Sequence, residues 1–499
     1  MEAVTKADQS PSKSTGAPPT AANHLQVGAR RTTLDIAVQV IGRIGNLAIG
    51  IVVTLIVVRA LGSSGFGQWS TIFAITQIAT NFGELGINQV AVGRAASDPA
   101  RESDWLGALL SLRLLLAVPT TILALAGVLL IVPSQSGRIA GALIAATILV
   151  NSPSALNAAF QLRVRNDISI VVITLGSVLW GAGAIAVSLH SKSIDAFAAA
   201  FLAAAAITTS VSIVLALRLI PVRLVFSKHQ WRSLMRVGLG VAAAGAMVTL
   251  YVKLDQVLVF EFAGSRQAGL YGAAYRILDQ IQFIPISVMT TLFPLIAASY
   301  PRDRARVRAL LQTAGEYLTM ASLPALAFTL VAADPIIRLL FGSAFAEAAP
   351  ALPILMGAFV SISFGYLAGN MVVILELQSK FFRYAAVGLV INASLNVLLI
   401  PRYGFLAAAW ITLATEVVVM SLTMRSVLRE LAMTPRVGRL LRTLVAALAM
   451  GVLTWVAYSA GVSLYGLVAI AAISYLVLLL SLRVLTFAEM RAVLRKDPL

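Results

Sequence analysis

Leu61-Gly62-Ser63-Ser64-Gly65-Phe66-Gly67-Gln68-Trp69 and Ala263-Gly264-Ser265-Arg266-Gln267-Ala268-Gly269-Leu270-Tyr271 read as two versions of one turn, 202 residues apart. Each carries Gly-Ser, a second glycine five positions after the first, and an aromatic residue two positions beyond that. Glycine suits a tight turn, and an aromatic ring suits the membrane–water interface that follows it. Each turn comes at the end of a long apolar run, 33–60 and 237–262, and precedes another, 69–92 and 268–300. A unit that recurs with retained orientation is a duplicated unit, and duplication is how transporters build two lobes around one pathway. A weaker echo pairs Gln161 with Gln378, each opening a short basic loop before a new span.

The rest of the chain extends that pattern. Of its 499 residues 59% are hydrophobic and 12% charged, and the mean hydropathy is +0.89, more apolar surface than a soluble globule can bury. Fourteen candidate spans of about 20 apolar residues follow one another between residues 33 and 486. The expected fold is an all-α polytopic membrane protein: two six-helix lobes around a central cavity, plus two C-terminal helices. The expected organisation is a disordered cytoplasmic tail over 1–32, an N-lobe over 33–218 and an amphipathic lobe linker over 219–236. A C-lobe over 237–429 and a last pair of helices with a cytoplasmic C-terminus over 430–499 complete it.

Basic residues set the orientation, because short loops kept on the inner side collect Lys and Arg. Most of the 38 Lys and Arg residues fall on one side when both termini are placed inside. Only Arg59, Arg138, Lys192, Arg266, Arg338 and Arg402 fall at the other. The net charge of +17 is then explained by inner loops beside anionic lipid, without nucleic acid.

Polar residues inside the spans mark where a pathway would run. Gln39, Arg43, Asn46 and Gly50 keep one face of the first span, and Gln77, Asn81, Glu84 and Asn88 keep one face of the second. In the C-lobe Thr249, Lys253 and Gln256 form a shorter stripe, and Arg276, Gln280 and Ser287 another, with Asp279 slightly rotated and Asp255 nearly opposite Lys253. A charge at the bilayer centre costs roughly 2.5–3.5 kcal/mol on insertion scales, so such residues face water or partners rather than lipid. The candidate substrate-binding residues are therefore Arg43, Arg276, Lys253, Gln39, Asn46, Asn81, Asn88 and Gln280, with Arg43 and Arg276 gripping an anion from opposite lobes. Glu84, Asp255 and Asp279 are the candidates for ion coupling. The plainer alternative is helix glue, with Arg43 paired to Glu84 and Arg276 to Asp279. Glu316, Glu376 and Glu416 stand singly in later spans, as proton sites or as buried neutral acids.

Several function classes are excluded. No Gly-Lys dipeptide occurs, so there is no P-loop for ATP; cysteine is absent and the three histidines lie far apart, so no cofactor or metal centre is expected. No Asp-x-Asp, His-Glu-x-x-His or Gly-x-Ser-x-Gly motif points to an enzyme, and outer loops of about ten residues leave no catalytic domain.

The residues that carry a family likeness run from Val58 through Trp69, with Leu85-Gly86-Ile87, and from Leu254-Asp255-Gln256 through Arg276. They continue in Leu292-Phe293-Pro294 and in Asn392 through Asn396, followed by Ile400-Pro401-Arg402-Tyr403-Gly404. In order and spacing they resemble the polysaccharide and oligosaccharide flippases, O-antigen type, of the multidrug/oligosaccharidyl-lipid/polysaccharide exporter superfamily. That resemblance implies a fourteen-helix alternating-access transporter of a bacterial inner membrane. It implies a polyprenyl-diphosphate-linked oligosaccharide as substrate, turned from the inner to the outer leaflet for cell-surface or exopolysaccharide synthesis. Membrane lipid and other polysaccharide-assembly proteins are the implied partners, the lipid meeting the charge-free last spans. A drug/cation antiporter of the same superfamily is the alternative, with an acidic cavity and twelve spans. A membrane glycan polymerase or ligase would need a larger outer loop.

Overall fold

A computed structural model of the protein describes residues 29–84, 86–163 and 165–485. The expected tail up to residue 28 and the segment from 486 onward lie outside the described residues, as do the side chains of Gln39 and Arg43. Helices account for nearly everything described. They are α1 (Ala29–Glu84), α2 (Ile87–Ser97), α3 (Glu102–Ile131), α4 (Gln135–Asn151), α5 (Ala158–Leu162), α6 (Asn166–His190) and α7 (Ile194–Leu219). They continue with α8 (Lys228–Ile281), α9 (Phe283–Ser299), α10 (Arg304–Phe341), α11 (Ala351–Ile374), α12 (Gln378–Tyr403), α13 (Phe405–Glu430), α14 (Gly438–Ser459) and α15 (Leu464–Ser481).

Twelve helical runs among the described residues are long and apolar enough to cross a membrane. Two of them, of 53 and 55 residues, are each long enough to cross twice. Each doubles back inside one nominal helix: Gly62 interrupts α1 at φ 66° and ψ −178°, and Gly264 interrupts α8 at φ 86° and ψ 171°. That backbone conformation is open to glycine and strained for any residue with a Cβ, so the two turns sit where the sequence repeat placed them. With both double passes included, the described chain crosses fourteen times.

Six crossings from α1 to α7 pack on one another as one lobe, and six from α8 to α13 as the other. The lobes meet chiefly along α1 and α8. At the turn end their contact repeats the sequence symmetry. A Cβ added at Gly67 would run into the carbonyl of Ser265, and one added at Gly269 would run into the carbonyl of Ser63. Both pairs are the same contact read in opposite directions, so the lobes are related by a pseudo-twofold axis through this seam. Ser64 Oγ and Ser265 Oγ lie 2.6 Å apart beside it. Arg59 donates across the lobes to the carbonyls of Leu339 and Leu340, at 2.5 and 3.0 Å, and Phe66 meets Phe345 edge to face.

The stretch 219–236 departs from the expected surface helix. Residues 220–227 are non-helical and bind along α3, with Ser103 donating to Pro221 O and Ser111 to Val225 O. A helix then starts at Lys228, capped by Ser227, and runs without a break into the seventh crossing; Trp231 donates to Ser111 Oγ and Leu234 is buried. Trp231 and Leu234 need apolar cover, and α3 supplies it in place of lipid.

α14 and α15 pack against α10 of the second lobe. Arg439 meets Glu316 at 3.0 Å, Gln312 and Arg436 exchange backbone and side-chain hydrogen bonds, and Tyr475 donates to Met320 O. Glu316 thus serves as a helix tie. The outward faces of this pair, with Val452, Trp455, Val456, Ile473 and Val477 exposed, are apolar as a lipid-facing surface requires.

Candidate functional site

Between the lobes lies a cavity of about 430 Å³. Its C-lobe wall is polar and charged: Lys253, Gln256, Tyr271, Tyr275, Arg276 and Asp279. Its N-lobe wall combines Gln77, Thr80, Thr147 and Asn151 with Trp69, Phe73, Trp180 and Phe201. Depth follows from register. Lys253 lies 11 residues before Gly264 and Arg276 lies 12 after it, so at 1.5 Å per residue both sit roughly 16–18 Å below the turns, near mid-membrane.

Arg276 is exposed to the cavity and reaches Thr54 of the other lobe at 3.4 Å through Nε. Lys253 lies 3.7 Å from Asp279 and over the face of Tyr275, with 5.4 Å from Nζ to the ring centroid. The helix-glue pairing of Arg276 with Asp279 is therefore corrected: the partner of Asp279 is Lys253, because the two arms of α8 fold onto each other at Gly264 and bring these residues together. Glu84 bonds Arg113 of α3 at 3.1 Å, and its expected pairing with Arg43 involves a side chain outside the described ones.

Arg43 does not share the level of Arg276. Its side chain lies outside the described ones, but it stands 19 residues before Gly62, roughly 28 Å of helix from the turn, about 10 Å deeper than Arg276. Among the described residues the cation that accompanies Arg276 in the cavity is Lys253, from the same lobe. Gln39 likewise precedes the described side chains. Asn46 donates to Thr174 of α6 and to Gly42 O, packing within the N-lobe. Asn81, Glu84 and Asn88 line a separate pocket of about 260 Å³ further from the turns, with Gly245 and Thr249 opposite. Gln280 lines neither space, whereas Gln256 does line the central cavity and ties Thr71 to Ala268 O across the lobes.

Asp255 lies behind the cavity wall, 0% exposed. It accepts hydrogen bonds from Thr412 Oγ1 at 2.6 Å, Asn396 Nδ2 at 2.7 Å and Tyr271 OH at 3.2 Å. Tyr271 also lines the cavity, so one side chain connects the two sites. No cation pairs with Asp255 among the described residues, and Asn396 Oδ1 and Asn392 Nδ2 have no hydrogen-bond partner there. An ionised carboxylate so placed is costly unless it takes a proton or a bound cation. A monovalent cation among Asp255, Thr412 and the two carboxamides would give Asn396 Oδ1 its missing partner. Asn392, Asn396, Thr412 and Tyr271 were not assigned from sequence, although two carboxamides four residues apart in an apolar span were a usable sign. Among the described residues no group of three or more His, Cys, Asp or Glu side chains forms a metal cluster.

Residues 56–350 match the model of a family described as polysaccharide biosynthesis protein. Two Haloferax volcanii proteins resemble parts of the chain: the probable low-salt glycan biosynthesis flippase Agl15, 26% identical over 32% of this chain and 34% of its own, and the probable flippase AglR, 25% identical over 40% and 43%. The chain thus spans less than half the length of these curated relatives. Among solved structures, the lipid II flippase MurJ in an inward closed conformation superposes with a TM-score of 0.72 at 13% identity, covering 93% of this chain and 99% of that one. An inward-facing multidrug resistance MATE family transporter of the MOP superfamily gives 0.62 at 14%, covering 78% and 94%. These structural likenesses establish the fold.

Proposed function

Since the chain belongs to the polysaccharide biosynthesis protein family, we propose that it is a flippase moving a polyprenyl-diphosphate-linked oligosaccharide from the inner to the outer leaflet. The observation that carries this reading is the pair Lys253 and Arg276 at mid-membrane in an interlobe cavity. A diphosphate loses its hydration on leaving the interface and needs cationic donors to replace it. The guanidinium of Arg276 supplies a fork of N–H groups, and Lys253 a second charge that Asp279 holds until the anion arrives. A drug/cation antiporter would want the opposite sign on this wall. The same reading places the protein in the inner membrane with both termini cytoplasmic. The deciding experiment is deletion of the gene followed by assay of the leaflet in which lipid-linked oligosaccharide accumulates. Inner-leaflet accumulation supports the reading, and an unchanged distribution ends it.

Coupling is assigned to Asp255. Of the three candidate carboxylates, Glu84 and Asp279 already have cationic partners, while Asp255 has neutral donors alone among the described residues. Asp255→Asn is expected to lower gradient-driven flipping in vesicles by about tenfold or more, and to remove its response to an imposed proton or sodium gradient. A variant that keeps the full gradient response would transfer the role elsewhere.

A further inference from the structure

Among the described residues the N-lobe wall of the cavity carries no cation, and its chemistry is of another kind. Trp69 from α1 and Trp180 from α6 stack at 5.8 Å with an interplanar angle of 10°. Phe73 meets Trp69 at 4.8 Å, and Phe201 of α7 meets Trp180 at 5.2 Å and Phe73 at 5.1 Å, each ring tilted or edge-on. All four line the same cavity as Lys253 and Arg276. Trp69 is nearly buried, and Trp180 is the more open of the two. Register puts Phe73 and Trp180 near the level of the cations, Phe73 being 11 residues past Gly62 and Trp180 10 residues from the α6 end at His190, roughly 15–17 Å of helix, with Trp69 nearer the turn. Beside the rings stand Asn151, Thr147 and Gln77, whose carboxamides and hydroxyl can both donate and accept.

An aromatic cluster of this kind would serve as plain core if it faced only other helices. Here it opens onto a polar cavity at mid-membrane, where water or a ligand must cover it. A sugar ring matches that surface, because one of its faces presents weakly positive C–H groups to an aromatic quadrupole while its rim presents hydroxyls to neighbouring amides. We propose that this wall is a carbohydrate subsite, in which Trp180 and its ring neighbours hold the sugar next to the diphosphate while the C-lobe holds the phosphates. The proposal rests on the flippase reading above and extends it, dividing the recognition of one amphiphile between the two lobes. Opening and closing of the lobes then changes the distance between the sugar and phosphate grips, and a substrate lacking either is held by one lobe only.

The test is equilibrium binding to the full-length protein in detergent, with two probes: polyprenyl diphosphate, and lipid-linked oligosaccharide extracted from a host deleted for this gene. The wild type is expected to bind the extracted glycolipid about tenfold more tightly than the sugar-free lipid. Trp180→Ala is expected to erase that preference while leaving polyprenyl diphosphate binding within about twofold, and Trp180→Phe to keep most of the preference. Retained binding of the sugar-free lipid shows that the Ala variant is folded. Equal binding of both probes by the wild type overturns the subsite and leaves the phosphate grip standing. So does an undiminished preference in Trp180→Ala, or an equal loss of both probes in that variant. Failure of the wild type to bind either probe overturns the flippase reading itself, and the subsite with it.

Discussion

Arg276→Ala is expected to reduce lipid-linked oligosaccharide flipping in vesicles by roughly ten- to a hundredfold at matched protein level, the loss of one charge-assisted contact of about 1.5–3 kcal/mol. Arg276→Lys should recover part of it, since the point charge returns without the planar fork. The reasoning is positional. Arg276 is exposed to the cavity near mid-membrane, and among the described residues its hydrogen bond is a long contact to the neutral hydroxyl of Thr54. A cation left that free within a membrane protein is available to an anion. Lys253→Ala should show a smaller loss, because Asp279 competes for Lys253, and removing the Lys leaves the carboxylate to repel the phosphate. Lys253→Ala combined with Asp279→Ala would then transport better than Lys253→Ala alone. Undiminished flipping by Arg276→Ala would remove the phosphate grip from this wall.

The difference between what sequence and structure reveal is instructive at these residues. Gly62 and Gly264 were legible because a backbone at positive φ with ψ near 180° demands glycine, and the demand repeats whenever the turn does. Lys253 and Arg276 were legible because charge is expensive in a span and stands out against an apolar background. Their partners were not. Helical periodicity gives the face a residue occupies and says nothing of which neighbouring helix that face meets, so Asp279 was matched with Arg276 on its own arm instead of Lys253 across the turn. The surroundings of Asp255 come from Asn396 and Thr412, 141 and 157 positions away, and no local pattern connects them. The aromatic wall was hidden for a different reason. Trp69 read as an interfacial anchor, a common role for such rings, and only the packing of α6 and α7 against α1 turns it toward the cavity.

The pseudo-twofold seam makes the strongest mechanical prediction. Transport by alternating access requires the lobes to part at the end that carries Gly62 and Gly264, and there they are now held by the reciprocal contacts of Gly67 with Ser265 and Gly269 with Ser63. Ser64 and Ser265 stand with their hydroxyl oxygens 2.6 Å apart, close to the spacing that two cysteine sulfurs would need, and the chain contains no cysteine to compete. The double variant Ser64→Cys with Ser265→Cys is expected to form a disulfide on mild oxidation, seen as the loss of both thiols to a maleimide-polyethylene glycol label. Flipping by the oxidised protein should fall to background and return on reduction, whereas each single variant should keep nearly wild-type activity under both conditions, because Ser64 and Ser265 lie outside the cavity. A crosslinked protein that still transports at the reduced rate would mean that the lobes need not separate at this seam, and the substrate's exit would then have to lie between other helices.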